Sequence, residues 1–280
     1  MTIREVIEAA EQYVVGIIDG GRLASGWDRV FCGFLFALSR VYRNVVQLRI
    51  TLYNQGILRQ RMLGCLVVSV GNLTVGGTGK TPVVEVFAKT LAKKGRRVAI
   101  LSRGYRSKGR PMRQKMRDLV TKKHDRIPPR VVSDGKRLLM DSATAGDEPY
   151  MLASNLRDVM VVVDKDRVKA GLYAIRKLAA DTLLLDDGFQ YLRLKPRLNI
   201  CLIDSTAPFH NHHPLPRGLL REPIKNLRRA DYVFLTKSNG STALRHLRQF
   251  VRRHNPRAEV IECTHRPKYL ENVYTQEQEP

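Results

Sequence analysis

The sequence predicts an α/β fold: a doubly wound, largely parallel sheet preceded by a basic amphipathic helical segment. Three observations carry this expectation. Short β-branched or leucine-rich runs recur along the chain, at Val67–Val70, Val98–Ser102, from Val159 in VMVVVDKDR, and at Leu183–Leu185. Between them lie stretches with apolar residues at helical spacing, such as Val83–Leu91 and Val168–Leu178. One strand-to-helix junction is rich in glycine and ends in Lys80-Thr81. Strands that alternate with helices close into a parallel sheet covered on both faces.

At 280 residues there is room for one sizeable core plus an appendage. Lysine and arginine number 49 against 26 acidic residues, a formal charge of +23. Such an excess favours an anionic partner: nucleic acid, an anionic membrane surface or a phosphorylated substrate. No aromatic-interleaved basic patch or recognised nucleic-acid module accompanies the charge, so no nucleic-acid partner is expected. Cys32, Cys65, Cys201 and Cys263 are scattered without metal spacing, which fits a reducing compartment, the cytosol. Arg4, Glu5, Glu8 and Glu11 precede any apolar run, which does not read as a cleavable signal.

Taken in order, residues 1–60 read as a basic amphipathic helical segment. VFCGFLFALS (Val30–Ser39) is its most apolar run, too short to span a bilayer. The arginines that follow (Arg40, Arg43, Arg49, Arg59, Arg61) alternate with Val, Leu, Ile and Tyr, the composition of a helix lying in a membrane interface. A helical hairpin packed on the domain reads equally well. Next, LVVSVGNLTVGGTGKTP combines a strand, a glycine turn over Gly71–Gly79, Lys80-Thr81, and Pro82 in the first helical turn. This is a P-loop in the context that confirms one, and it makes the fold P-loop NTPase-like. Gly76, Gly77, Thr78 and Gly79 let backbone N–H groups converge on phosphate oxygens. Lys80 is placed for the β and γ phosphates and Thr81 for Mg²⁺, so ATP and Mg²⁺ are the expected cofactors. The strict pattern has Gly where Thr74 stands, and Gly76 and Gly77 supply the freedom instead.

Residues 103–137 are densely basic and are expected to be chiefly a solvated, mobile face. GDEPYMLA sets Asp147 and Glu148 at a helix start, more acid than a cap needs. In DTLLLDDGFQ, Asp186 and Asp187 end a buried strand, at the sheet edge where ligands bind. Neighbouring carboxylates repel, so a cation is the expected reason for the pair. LNICLIDS and DYVFLTKS give two further strands, and Thr236-Lys237 reads as a nucleotide-base contact or a plain loop. TKSN is a poor imitation of a guanine-reading motif, which argues against a GTPase. His210, His212 and His213 read as exposed loop residues. Arg221 and Glu222 follow a proline- and glycine-bounded loop, well placed for phosphate or sugar contacts. The last 20 residues read as a frayed polar tail.

VSVGNLTVGGTGKTP, AILSRGY, VSDGK, AGDEP, LLLDDGFQ and LLREP, in this order, resemble the tetraacyldisaccharide 4′-kinases of lipid A biosynthesis from about Val45 to Thr236. The resemblance implies ATP- and Mg²⁺-dependent phosphorylation of the 4′-hydroxyl of an acylated glucosamine disaccharide 1-phosphate, at the cytoplasmic face of the inner membrane. It implies a membrane-associating segment at residues 1–60, a kinase domain at 61–270 and a tail at 271–280. It also implies that Asp147 activates the sugar hydroxyl, with Lys80 on phosphate, Thr81, Asp186 and Asp187 at the Mg²⁺ site, Asp187 also in the catalytic set, and Arg221, Glu222 and Gln190 at the substrate or nucleotide. Two positions depart from the family. Tyr191 stands where the family has His, and a tyrosine cannot shuttle protons at neutral pH. The family also carries a later histidine that pairs with the catalytic aspartate. His265 looks like an earlier segment, so a catalytically impaired, ATP-binding relative is the alternative expectation.

Overall fold

The structure, a computed structural model, describes residues 16, 26–104, 127–238, 240, 242–264, 270–271 and 278–279. A long helix, α1 (Gly26–Asn54), precedes an eight-stranded sheet. Its strands are β1 (Leu66–Asn72), β2 (Val98–Ser102), β3 (Arg130–Asp134), β4 (Val159–Val163), β5 (Thr182–Asp186), β6 (Leu198–Asp204), β7 (Tyr232–Thr236) and β8 (Glu259–Glu262). In space they run β3-β4-β2-β5-β1-β6-β7-β8. Every neighbouring pair is parallel except β3 with β4, which closes one edge antiparallel.

Side-chain alternation along β1 explains why helices cover both faces. Val68 and Val70 pack with Val84 and Ala88 of α2 (Lys80–Lys93) on one face. Val67 faces the other way, into a cluster with Val168, Ala170 and Ala174 of a helix over Arg167–Leu178. Beyond β6, Cys201, Ile203, Val233 and Leu235 meet Leu244, Leu247 and Val251 of a helix over Thr242–His254. The short helix α3 (Ser142–Ala145), α4 (Asp147–Asn155), α5 (Arg167–Leu178) and α6 (Thr242–His254) complete the helical layers.

The sheet was foreseen; parts of its surroundings were not. Arg130–Asp134, expected within a solvated basic face, forms an edge strand with Val132 fully buried. The expectation for 105–126 lies outside the described residues. Within the expected polar tail, Leu270–Glu271 and Gln278–Glu279 pair as a two-stranded antiparallel ladder. Among the described residues the N-terminal segment is one long helix, α1, rather than a hairpin, and one side of it packs on the domain. Leu35, Ser39, Ile50 and Tyr53 are buried, and Ser39 Oγ donates to the Pro214 carbonyl at 2.8 Å. A second stripe at helical spacing, Trp27, Val30, Phe34, Leu38, Val41, Val45 and Leu48, stays exposed.

Candidate active site

β1 lies between β5 and β6, and its C-terminal end opens into the glycine turn. Gly76 has φ 113° and Gly79 has φ 73°, the left-handed region that glycine enters freely. A Cβ at Gly76 or Gly77 would meet nothing within 4 Å, so the space over the loop is open. Gly79 at the N-cap of α2 has no side chain to cap it, leaving the first N–H groups for a ligand. Thr74 fits where glycine was expected because the chain there is paired: Val75 N donates to Leu219 O and Arg221 N to Leu73 O, both at 2.7 Å. The same pairing delivers Arg221 to the site.

Asn72, which carries no motif, ties the loop together. It is fully buried, its Nδ2 donates to Thr78 Oγ1 at 2.9 Å, and its Oδ1 accepts from Lys80 Nζ at 3.5 Å. Gln190 Nε2 donates to the Asn72 carbonyl at 2.9 Å. From the far side Thr236 Oγ1 donates to Thr78 O at 2.9 Å. Thr236 is 5 % exposed, so it clamps the loop from below; Lys237 pairs with Asp204 at 2.6 Å.

The acid pair stands beside this loop, because β5 is the parallel neighbour of β1 and Asp186 is level with Val70. Asp186 is 7 % exposed and accepts a hydrogen bond from Ser102 Oγ at 3.3 Å. Burial, with the charges of Glu148 and Asp187 adding to it, pushes its carboxyl up to about 6. Asp187 behaves in the opposite sense. Burial raises its pKa, but Arg221 and Lys80 outweigh that and hold the carboxyl below the usual range. Arg221 Nη1 reaches both Asp187 oxygens, Lys80 Nζ lies 3.7 Å from one of them, and Gln190 Oε1 accepts from Arg221 at 3.4 Å.

Asp147 opens α4 with its carboxylate exposed, after Gly146 at φ 93°. Its neighbour Glu148 is close enough to act on Asp186, which brings the GDEP turn to the rim of the site. Arg167 was missed by the sequence reading. It is 5 % exposed, its guanidinium lies 5.0 Å over the Tyr191 ring, and its Nε has no partner among the described residues. Burial lowers its pKa, while Tyr191, Asp187 and Asp186 work the other way.

Glu222 does not face the loop. It is 2 % exposed, paired with Arg229 at 2.6 Å and hydrogen-bonded by Asn226 at 3.0 Å, and burial raises its pKa. Its carboxylate faces this buried pair, so the expected direct contact with a ligand is replaced by a structural anchor for the Arg221 loop. His212 and His213 are taken up in ring contacts with Phe250 and Phe36. His265 and its expectation lie outside the described residues.

The tetraacyldisaccharide-1-P 4′-kinase family matches residues 32–280. The chain is 46% identical over 216 residues to a tetraacyldisaccharide 4′-kinase of Geobacter metallireducens, covering 77% of this chain and 59% of that one. It is 36% identical over 265 residues to the enzyme of the same name from Halothermothrix orenii, covering 94% of this chain and 65% of that one. Among solved structures it is similar to LpxK from Aquifex aeolicus in complex with ATP, with a TM-score of 0.63 and 40% identity over 73% of this chain and 58% of that one. The chain thus spans about six-tenths of the length of these relatives. A phosphate loop alone would leave the family open, but a match running from residue 32 to residue 280 does not: the chain belongs to the tetraacyldisaccharide-1-P 4′-kinase family.

Proposed function

We propose that this chain carries out transfer of the ATP γ-phosphoryl group to the 4′-hydroxyl of an acylated glucosamine disaccharide 1-phosphate. The observation that carries the reading is the convergence of Lys80 and Arg221 on Asp187 at the mouth of an open glycine loop. Relatives named tetraacyldisaccharide 4′-kinase supply the acceptor.

The residues present fit ATP and Mg²⁺. Unfilled space over Gly76 and Gly77 and the uncapped start of α2 suit phosphate oxygens. The Thr81 hydroxyl, Asp186 and Asp187 are oxygen donors of the kind a hard cation takes. Bound Mg²⁺ would neutralise charge on the β and γ phosphates. In this reading Lys80 and Arg221 hold phosphate oxygens, and Asp147 accepts the proton of the attacking hydroxyl. The bond from the γ phosphorus to ADP oxygen breaks as the bond to the sugar oxygen forms. Alignment and charge neutralisation account for most of the rate. Gln190, held by Asn72 and Arg221, fixes the turn behind them.

The acyl chains of that substrate favour a membrane surface, and the use of ATP favours its cytoplasmic side. No helix among the described residues is long and apolar enough to cross a membrane. The exposed stripe of α1 and the arginines around it support a peripheral attachment. Incubation with ATP, Mg²⁺ and tetraacyldisaccharide 1-phosphate, read by mass spectrometry, tests the reading. A lipid product heavier by one phosphoryl group is expected. Nucleotide binding without that product would contradict it.

A further inference from the structure

The face of the sheet turned away from α2 carries a second hollow. A cavity of about 660 Å³ lies against Val67 and Ser69 of β1 and Asn199 of β6, roofed by the 188–197 segment and by residues 60–65. Its size is within the range of about 300–1,000 Å³ typical of small-molecule sites. Alternation along β1 separates it from the phosphate loop: Val68 and Val70 face α2, whereas Val67 and Ser69 face this cavity.

Its wall is unusual in what it leaves bare. Ser69 Oγ, Asn199 Oδ1 and Arg229 Nε are buried polar atoms without a hydrogen-bond partner among the described residues, and all three residues line this one cavity. Ser69 is 1 % exposed. Buried polar atoms are almost always paired, so three bare ones together mark a place for a polar occupant. Positive charge predominates in its lining. Lys195 and Arg197 stand exposed in its lining. Asp231 is the one acidic residue lining the cavity among the described residues, and its Oδ2 already accepts from Asn199 N at 2.8 Å. Leu63, Val67, Phe189 and Leu194 supply apolar wall between these groups.

We propose that this cavity is a second ligand site, for a small organic anion with a compact apolar body. The anion meets Lys195 and Arg197, the apolar body lies along Leu63 and Phe189, and Ser69, Asn199 and Arg229 take its remaining polar groups. Gly188 and Phe189 form part of the wall and follow directly on the Asp186–Asp187 turn, yet the site faces away from the nucleotide.

The probe is 1-anilinonaphthalene-8-sulfonate, whose fluorescence rises on burial, titrated into the full chain. Saturable binding is expected that survives excess ATP. It also survives Val41→Glu with Val45→Glu, which charges the exposed stripe of α1. Lys195→Glu with Arg197→Glu, both exposed and therefore compatible with folding, is expected to weaken it at least about tenfold. Lys93→Glu with Lys94→Glu, an equal change of charge at the end of α2, leaves it unaltered. The proposal is overturned by no saturable binding (a cavity holding water alone), by displacement with ATP, or by equal loss in the two charge-reversed variants.

Discussion

One guanidinium nitrogen of Arg221 meets both carboxylate oxygens of Asp187, at 2.8 and 2.7 Å. Lys80 Nζ waits 3.7 Å from the same carboxylate. Two cations therefore share one anion at the point where phosphates would enter, and neither is expelled to solvent before they do. A charge-assisted pair this short fixes the guanidinium in place. Arg221→Ala is predicted to lower kcat/KM by roughly 10²-fold or more, the scale of losing one preorganised transition-state contact. Arg221→Lys recovers part of it, since a point charge replaces a planar fork. Steady-state transfer kinetics check this, and unaltered turnover in Arg221→Ala would remove Arg221 from the site.

Lys80→Ala and Asp147→Ala separate binding from chemistry. Lys80 belongs to the loop and to the Asp187 cluster, so its loss weakens nucleotide affinity and turnover together. Asp147 stands exposed at the start of α4, outside the loop's hydrogen bonds. Its replacement is expected to cut kcat by orders of magnitude while ATP affinity holds. Calorimetric ATP titration beside the transfer assay decides the matter. Parallel loss of affinity in Asp147→Ala would argue against a role as base.

Tyr191 has a structural duty that its position explains. Its hydroxyl donates to Asp166 Oδ1 at 2.9 Å, and that oxygen also caps α5 by accepting from Val168 N and Lys169 N at 3.0 and 3.3 Å. Burial, then the hydrogen bond and charge of Asp166, push the Tyr191 hydroxyl up to about 12. The folded value lies above the ordinary 10.0, so the stabilisation is fully present below pH 10 and is lost as pH rises towards 12. Tyr191→Phe is predicted to cost about 1 kcal/mol at neutral pH. The gap to wild type should close across that alkaline window in urea denaturation. A gap that persists unaltered through it would mean that the hydroxyl is not the donor.

The two stripes of α1 make opposite predictions. Val41→Glu with Val45→Glu alters the exposed stripe and should leave thermal stability nearly unaltered, within about 0.5 kcal/mol. It should reduce sedimentation with anionic vesicles. Leu35→Ala, at a position 6 % exposed, should cost about 2 kcal/mol or more without that specific loss. Full vesicle binding by the charged variant would rule out this stripe as the attachment.

What was legible in the sequence was local. The loop declares itself because its glycines, Lys80 and Thr81 are contiguous, and Asp186–Asp187 because a leucine run precedes them. What was illegible depends on partners far along the chain. Asn72 reads as an ordinary turn residue until Thr78 and Gln190 fold onto it. Glu222 looked like a ligand contact because Arg229 and Asn226, which bury it, follow it in a stretch with no motif. Val131 and Val132 were hidden by the basic residues before them, although a β-branched pair is what an edge strand uses. In α6 the signal is weaker because arginines interrupt it, although Leu244, Leu247 and Val251 recur at helical spacing and are all buried.

The most direct measurement is transfer of label from γ-³²P-ATP to tetraacyldisaccharide 1-phosphate in detergent, comparing the wild-type chain with Lys80→Ala and Asp147→Ala, with and without Mg²⁺. The account predicts Mg²⁺-dependent labelling of the lipid by the wild type and near-background labelling by both variants. Lipid labelling that persists in Asp147→Ala and Lys80→Ala, or wild-type protein that binds ATP and labels no lipid, would contradict it.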